Sequence, residues 1–149
     1  MGSLNYFLDI EVAQSKDGVI ISQRKYALDI LQKTGMIDCR PVDSLIDPNQ
    51  KITEKGELFF GPERYRRLVG KLIYLTITRP DLSFAVGVVS QFMQSPCVGH
   101  WNSIIRILRY LKKAPRQGLL YEDKGSVHVS GYCDAIWART TIDRQTIYY

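Results

Sequence analysis

Apolar and polar positions alternate with a period of two from the start of the chain, through "NYFLDIEVAQSKDGVIISQ". Tyr6, Leu8, Ile10 and Val12 fall on one face of the strand this predicts, and Phe7, Asp9 and Glu11 on the other. Asp17-Gly18 supplies the residues of a tight turn, and Val19-Ile20-Ile21 returns as a β-branched strand, so the pattern predicts a β-hairpin. Ser22 stands where the N-cap of a short helix belongs. In that helix Tyr26, Ala27, Ile30 and Leu31 form one apolar stripe, and Gly35 provides the stop.

From 38 to 61 the periodicity fails. Pro41, Pro48, Gly56 and Gly61 punctuate every short run, which predicts a connector that crosses a surface or separates two sub-structures. Helical spacing then resumes three times. Tyr65, Leu68, Val69, Leu72 and Ile73 form the first stripe, ended by Pro80. Leu82, Ala85, Val86, Val89 and Met93 form the second, started by Asp81 and ended by Pro96. Trp101, Ile104, Ile105, Leu108 and Leu111 form the third, from about Val98 to Pro115. After it, "GLLYEDKGSVHVSGYCDA" reads as strands 118–122 and 127–134 around an Asp123-Lys124-Gly125 turn. The expected class is α+β: an N-terminal β-hairpin with a short helix, three packed amphipathic helices, and a C-terminal β-hairpin. Both hairpins would leave strand edges open to self-association.

Composition changes this picture little. At 149 residues, 45% hydrophobic and 23% charged, the chain has the profile of a globular protein. No apolar run reaches the ~20 residues that span a bilayer, and neither a signal peptide nor a complete myristoylation signal opens the chain, so an intracellular protein, cytoplasmic or nuclear, without a membrane partner is expected. Three cysteines, Cys39, Cys97 and Cys133, form no C-x-x-C pair. Cys97 and His100 have ligand-like spacing, but two side chains do not close a tetrahedral zinc site.

The distribution of charge is more informative than its net value of +5. Arg64, Arg67 and Lys71 lie at i, i+3 and i+7 on the first long helix, and Arg106, Arg109 and Lys113 repeat that spacing on the third. Arg66 stands beside the first row, and Lys112 and Arg116 extend the second. Two such rows can follow a phosphate backbone, each neutralised phosphate releasing counterions. The same rows also serve as the solvated faces that amphipathic helices require. Neither carries the interleaved aromatic residues of a single-strand stacking platform.

Taken in order, "LNYFLDIEVAQSKDGVIISQRKYALDILQKTGM", "RPVDSLIDPNQKI", "RYRRLVGKLIYLTITRPDLSFAVGVVSQFMQSP", "HWNSIIRILRYLKKAPRQGLLY" and "GYCDAIWARTTIDRQ" resemble the Pol polyprotein of Ty/copia-type long-terminal-repeat retrotransposons, most of all those of plants. The resemblance covers nearly the whole chain. It implies a division into the end of a reverse-transcriptase palm (1–37), a connector (38–61), thumb and connection helices (62–116) and the start of a ribonuclease H sheet (117–149). The N-terminal hairpin would support a primer terminus. Both basic rows would lie near a template–primer duplex.

The departures from the family pattern are equally specific. Its polymerase clamps two Mg²⁺ ions with palm carboxylates, a pair of them in a Tyr-x-Asp-Asp motif, and nothing in this chain reads so. Its ribonuclease H string "DADWAG" corresponds here to Asp134-Ala135-Ile136-Trp137-Ala138-Arg139. Asp134 matches the first carboxylate, Ile136 replaces the second aspartate, and Arg139 replaces the glycine. One carboxylate does not hold Mg²⁺, which keeps its waters unless several charged oxygens converge. Asp9 also stands where the family string "YFLGIEV" carries glycine. The expectation is a Pol-derived segment with neither catalytic centre and no metal of its own. It would bind RNA–DNA or DNA duplex backbone weakly and without sequence preference, through Arg64, Arg67, Lys71, Arg106, Arg109, Lys112 and Lys113. The alternatives are a protein-interaction module, and a ribonuclease H-type nuclease completed by another chain.

Overall fold

The computed structural model describes residues 4–49, 56–122 and 144–147. Strands β1 (Leu4–Phe7), β2 (Ile10–Ser15), β3 (Gly18–Ser22), β4 (Gly118–Glu122) and β5 (Arg144–Ile147) make one antiparallel sheet in that order. Between β3 and β4 the chain forms α1 (Arg24–Lys33), α2 (Pro62–Leu75), a single 3₁₀ turn (Pro80–Leu82), α3 (Ser83–Ser90) and α4 (Val98–Lys113). The α+β class matches the expectation. The connectivity of its strands does not in every part.

The expected first strand is two strands. Leu8 and Asp9 both take positive φ, 50° and 67°, and reverse the chain so that Phe7 pairs with Ile10 and Tyr6 with Glu11. Glycine accepts such angles freely, and aspartate better than most residues, so Asp9 keeps the turn that a glycine would make. The faces differ from the alternation accordingly. Glu11 is buried, held by the hydroxyls of Tyr6 and Ser22 at 3.4 Å each and by Arg24 at 3.6 Å, while Tyr6, Phe7 and Leu8 are exposed. Ser22 is therefore not a helix cap. Gln23 takes the N-cap position without a side-chain capping bond to the helix.

Strand 118–122 forms as expected, but its partner on one side is β3, from Ser22↔Gly118 to Gly18↔Glu122. The backbones approach closely there: a Cβ on Gly118 would lie 2.2 Å from the carbonyl oxygen of Ile21. The two ends of the chain thus share one sheet and cover part of each other's edges. The expected strand 127–134 lies outside the described residues.

Helical periodicity carries over almost unchanged. Ala27, Ile30 and Leu31 of α1, Tyr65, Leu68, Val69, Leu72 and Leu75 of α2, Ala85, Val86 and Val89 of α3, and Ile104, Ile107, Leu108 and Leu111 of α4 form one buried core. Ile73 is exposed instead of inward-facing, and Ile107 rather than Ile105 takes the deeper position. Gly35, at φ +74°, stops α1 as expected, with the Met36 N–H donating to the Leu31 carbonyl. α3 ends at Ser90, one and a half turns short of Pro96.

Tyr65 fastens α2 to α3 by donating its hydroxyl to the Val89 carbonyl at 2.5 Å. Burial, with a smaller contribution from the Cys97 thiol, pushes its phenol from 10.0 up to about 12. The folded state therefore favours the neutral phenol. The stability this contributes is complete below pH 10 and is lost as pH rises through 10 toward about 12. Thermal midpoints of the wild type should fall over that window and those of Tyr65→Phe should fall less; parallel curves would refute the assignment. The lost hydrogen bond should cost the variant about 1 kcal/mol at neutral pH.

Candidate nucleic-acid interface

Pro62 opens α2 at a position where its missing N–H has no helical partner to lose, and the helix that follows carries Arg64, Arg67 and Lys71 on one row. The row is not simply a solvated face but runs along the seam with α1: Arg64, Arg67, Leu68 and Lys71 line a cleft of about 290 Å³ whose other side is Lys33 and Thr34. Four cations thus border one concavity with a leucine among them.

Their engagements differ. The Arg64 guanidinium lies 5.0 Å above the Trp101 ring, which itself stacks on Phe59 at 4.5 Å and 12°. Lys33 pairs with Asp29 one turn back at 3.0 Å, both groups in water, where such pairs are weak. Arg67 and Lys71 have no hydrogen-bond or ion-pair partner among the described residues. The C-terminus of α1 brings carbonyl oxygens toward the same cleft, which opposes an anion. Thr34 offsets part of this by donating its hydroxyl to the Ile30 carbonyl at 2.7 Å. Arg66, beside the row, turns outward and bonds the Met93 carbonyl.

The row on α4 is in a different state. The connector crosses it. Arg106 donates from Nε to the Ser44 carbonyl at 3.0 Å and from Nη2 to the Ser44 hydroxyl at 2.7 Å. Arg109 donates to the Arg40 carbonyl at 2.8 Å, and its own carbonyl accepts the Val42 N–H. Lys113 pairs with Asp43 at 3.0 Å. Lys112 has no partner among the described residues. The two rows share a spacing but not an availability: one borders an open cleft and the other holds residues 40–44.

The Cys97/His100 spacing belongs to a helix cap. His100 Nδ1 accepts the Cys97 N–H at 2.9 Å, and the imidazole stacks on Phe92 at 3.8 Å. Among the described residues no three His, Cys, Asp or Glu side chains converge as a metal site would require. Asp134, Ile136, Arg139 and Asp143 lie outside the described residues.

Sequence reasoning passed over Arg79, a fully buried arginine. Its Nε and Nη2 bond both carboxylate oxygens of Asp81 at 3.2 and 3.1 Å, and Nη1 bonds the carbonyl of Ala114, the C-cap of α4, at 2.8 Å. Beside it Thr78 donates to Gln23, and Gln23 donates to the Tyr74 carbonyl. These side chains tie the α2–α3 joint, the end of α4 and the exit of β3 together. The signal available in sequence was the short string Thr78-Arg79-Pro80-Asp81, a charged pair flanking a proline between two apolar stripes.

The chain is 41% identical over 141 residues to the retrovirus-related Pol polyprotein from transposon RE2 of Arabidopsis thaliana, a match covering 94% of this chain and 10% of the relative. It is also 41% identical to the Pol polyprotein from transposon RE1 of the same plant, over 91% of this chain and 9% of the relative. An uncharacterized mitochondrial protein of Arabidopsis thaliana is 35% identical over 98% of this chain and 61% of its own length. No family model matches the chain, and no solved structure does. The chain spans about a tenth of the Pol polyproteins it resembles. No described helix is long and apolar enough to cross a membrane. On these matches the chain belongs to the Pol polyprotein family of Ty/copia-type retrotransposons.

Proposed function

We propose that this Pol-derived chain binds nucleic-acid backbone, RNA–DNA or DNA duplex, without sequence preference and without catalysis of its own. The observation that carries the reading is the α1–α2 cleft, where Lys33, Arg64, Arg67 and Lys71 converge and no carboxylate among the described residues lines the wall. A phosphate diester meets there Arg67 and Lys71, which have no partner among the described residues, and the contact carries no base information. The absence of catalysis rests on chemistry: two-metal phosphodiester chemistry requires several convergent carboxylates, and Ile136 occupies the place of one of them in the ribonuclease H string.

A salt titration tests the reading. If three to four phosphates are neutralised, the logarithm of the affinity for a short duplex falls with log salt at a slope of about −2.7 to −3.6. Binding that ignores salt, or none at low salt, overturns it. An RNA–DNA hybrid incubated with the chain and Mg²⁺ should remain intact. The exposed Tyr6, Phe7 and Leu8 at the β1–β2 tip favour the second reading, a protein-interaction surface. A salt-insensitive complex of fixed stoichiometry that Leu8→Lys abolishes would support it.

A further inference from the structure

We infer that residues 40–44 are a displaceable cover over a second phosphate-binding face, the row Arg106, Arg109 and Lys113 of α4. The inference rests on the proposed backbone binding and adds to it where a second surface lies and what controls it. The partner is the same: a nucleic-acid duplex, recognised through its phosphates.

The cover satisfies this row with the kind of atoms a phosphate offers. Two backbone carbonyls (Arg40 and Ser44), one hydroxyl (Ser44) and one carboxylate (Asp43) accept from the three cations. All are oxygen acceptors at 2.7–3.0 Å. A phosphate diester presents the same acceptors with a full negative charge, and bonds to it are stronger than bonds to a neutral carbonyl. The exchange therefore loses no hydrogen bonds for the cations and gains charge complementarity at Arg106 and Arg109, whose present acceptors are neutral.

The cover is also weakly seated. Pro41, Asp43 and Ser44 are exposed, and the Asp43–Lys113 pair is surrounded by water, where ion pairs add little. Among the described residues one backbone bond anchors it to α4, from the Val42 N–H to the Arg109 carbonyl at 3.3 Å. Just beyond it the packing leaves a pocket of about 20 Å³, room for one water, between Leu45 and Ile46 of the connector, Val89 of α3 and Ile107 of α4. A segment with few apolar contacts and exposed backbone bonds opens locally at small cost.

The cover and the duplex are thus competitors for one row, and each lowers the other's occupancy. Amide hydrogen exchange of residues 40–44, measured with and without a short blunt DNA duplex at low salt, reads the competition directly. Exchange at Val42 is expected to rise severalfold on adding the duplex. In parallel, Asp43→Asn combined with Ser44→Ala should loosen the cover and steepen the salt slope by about two to three, 0.9 for each newly available cation. Asp47→Asn, which removes a nearby carboxylate that touches none of the three cations, should not steepen it.

Val42 exchange that is unchanged or slowed by bound duplex overturns the inference while leaving the α2 cleft intact. So does a loosened variant whose slope equals the wild type's. Absence of any salt-sensitive binding by the wild type would instead remove the underlying reading. Restoring the wild-type slope by adding Arg106→Glu and Arg109→Glu to the loosened variant would confirm which cations the cover conceals.

Discussion

Replacing Arg79 by methionine is expected to cost the fold about 3–5 kcal/mol, the range seen when one partner of a buried ion pair is removed. Domains of this kind are stable by only about 5–15 kcal/mol, so the variant should unfold at a far lower urea concentration with an unchanged denaturant slope. The loss would come from what the arginine leaves behind. Asp81 would keep a largely buried carboxylate whose one remaining partner among the described residues is the Tyr110 hydroxyl at 3.0 Å, and the Ala114 carbonyl would lose its donor at the negative end of α4. Lysine should not rescue the site, because a single ammonium cannot bond both carboxylate oxygens and a third acceptor in the guanidinium's planar fork. Arg79→Met with Asp81→Leu should recover much of the loss, since a matched apolar pair is close to neutral where an orphaned charge is not. A double variant as unstable as Arg79→Met alone would show that the pair is not the source.

That pair also marks where sequence patterning stops being informative. Periods of 3.6 and 2 report burial of side chains against neighbours, so the apolar stripes of α1, α2, α3 and α4 were legible and their members lie in the core. The β1–β2 turn was not, because a two-residue reversal preserves the alternation on both sides. Leu8-Asp9 contains no glycine or proline to announce it. That β4 returns to β3 as well as pairing with the later strand β5 depends on how the helices between β3 and β4 pack, which no local pattern encodes. The same limit applies to the basic rows. Their helical spacing was plain, but a row's availability depends on contacts more than 60 positions away, Arg106 with Ser44 and Arg109 with Arg40. The family strings carried what patterning could not, including the glycine that Asp9 replaces.

Charge reversal at both Arg67 and Lys71 is expected to have the largest effect on binding of any pair of surface substitutions. If each neutralised phosphate contributes about −0.9 to the salt slope, loss of two contacts makes the slope shallower by about 1.8 and weakens binding on the order of a hundredfold near 50 mM salt. Repulsion from the introduced carboxylates acts in the same direction. The fold should tolerate the change: neither side chain has a partner among the described residues, and surface substitutions of this kind usually stay within about 0.5 kcal/mol. Equal thermal midpoints for variant and wild type would therefore attribute the loss to the interface. Reversal of Arg106 and Arg109 should give the opposite balance. Those guanidiniums already hold Ser44 and Arg40, so removing them detaches the connector and lowers stability, with a smaller loss of affinity. The comparison separates a row that binds as it stands from a row that must first release residues 40–44. Equal losses of affinity from the two pairs would mean that position in the fold makes no difference and net charge alone drives association. A loss confined to Arg67 and Lys71 would locate the principal contact in the α1–α2 cleft, with Lys33 and Arg64 as the next residues to reverse.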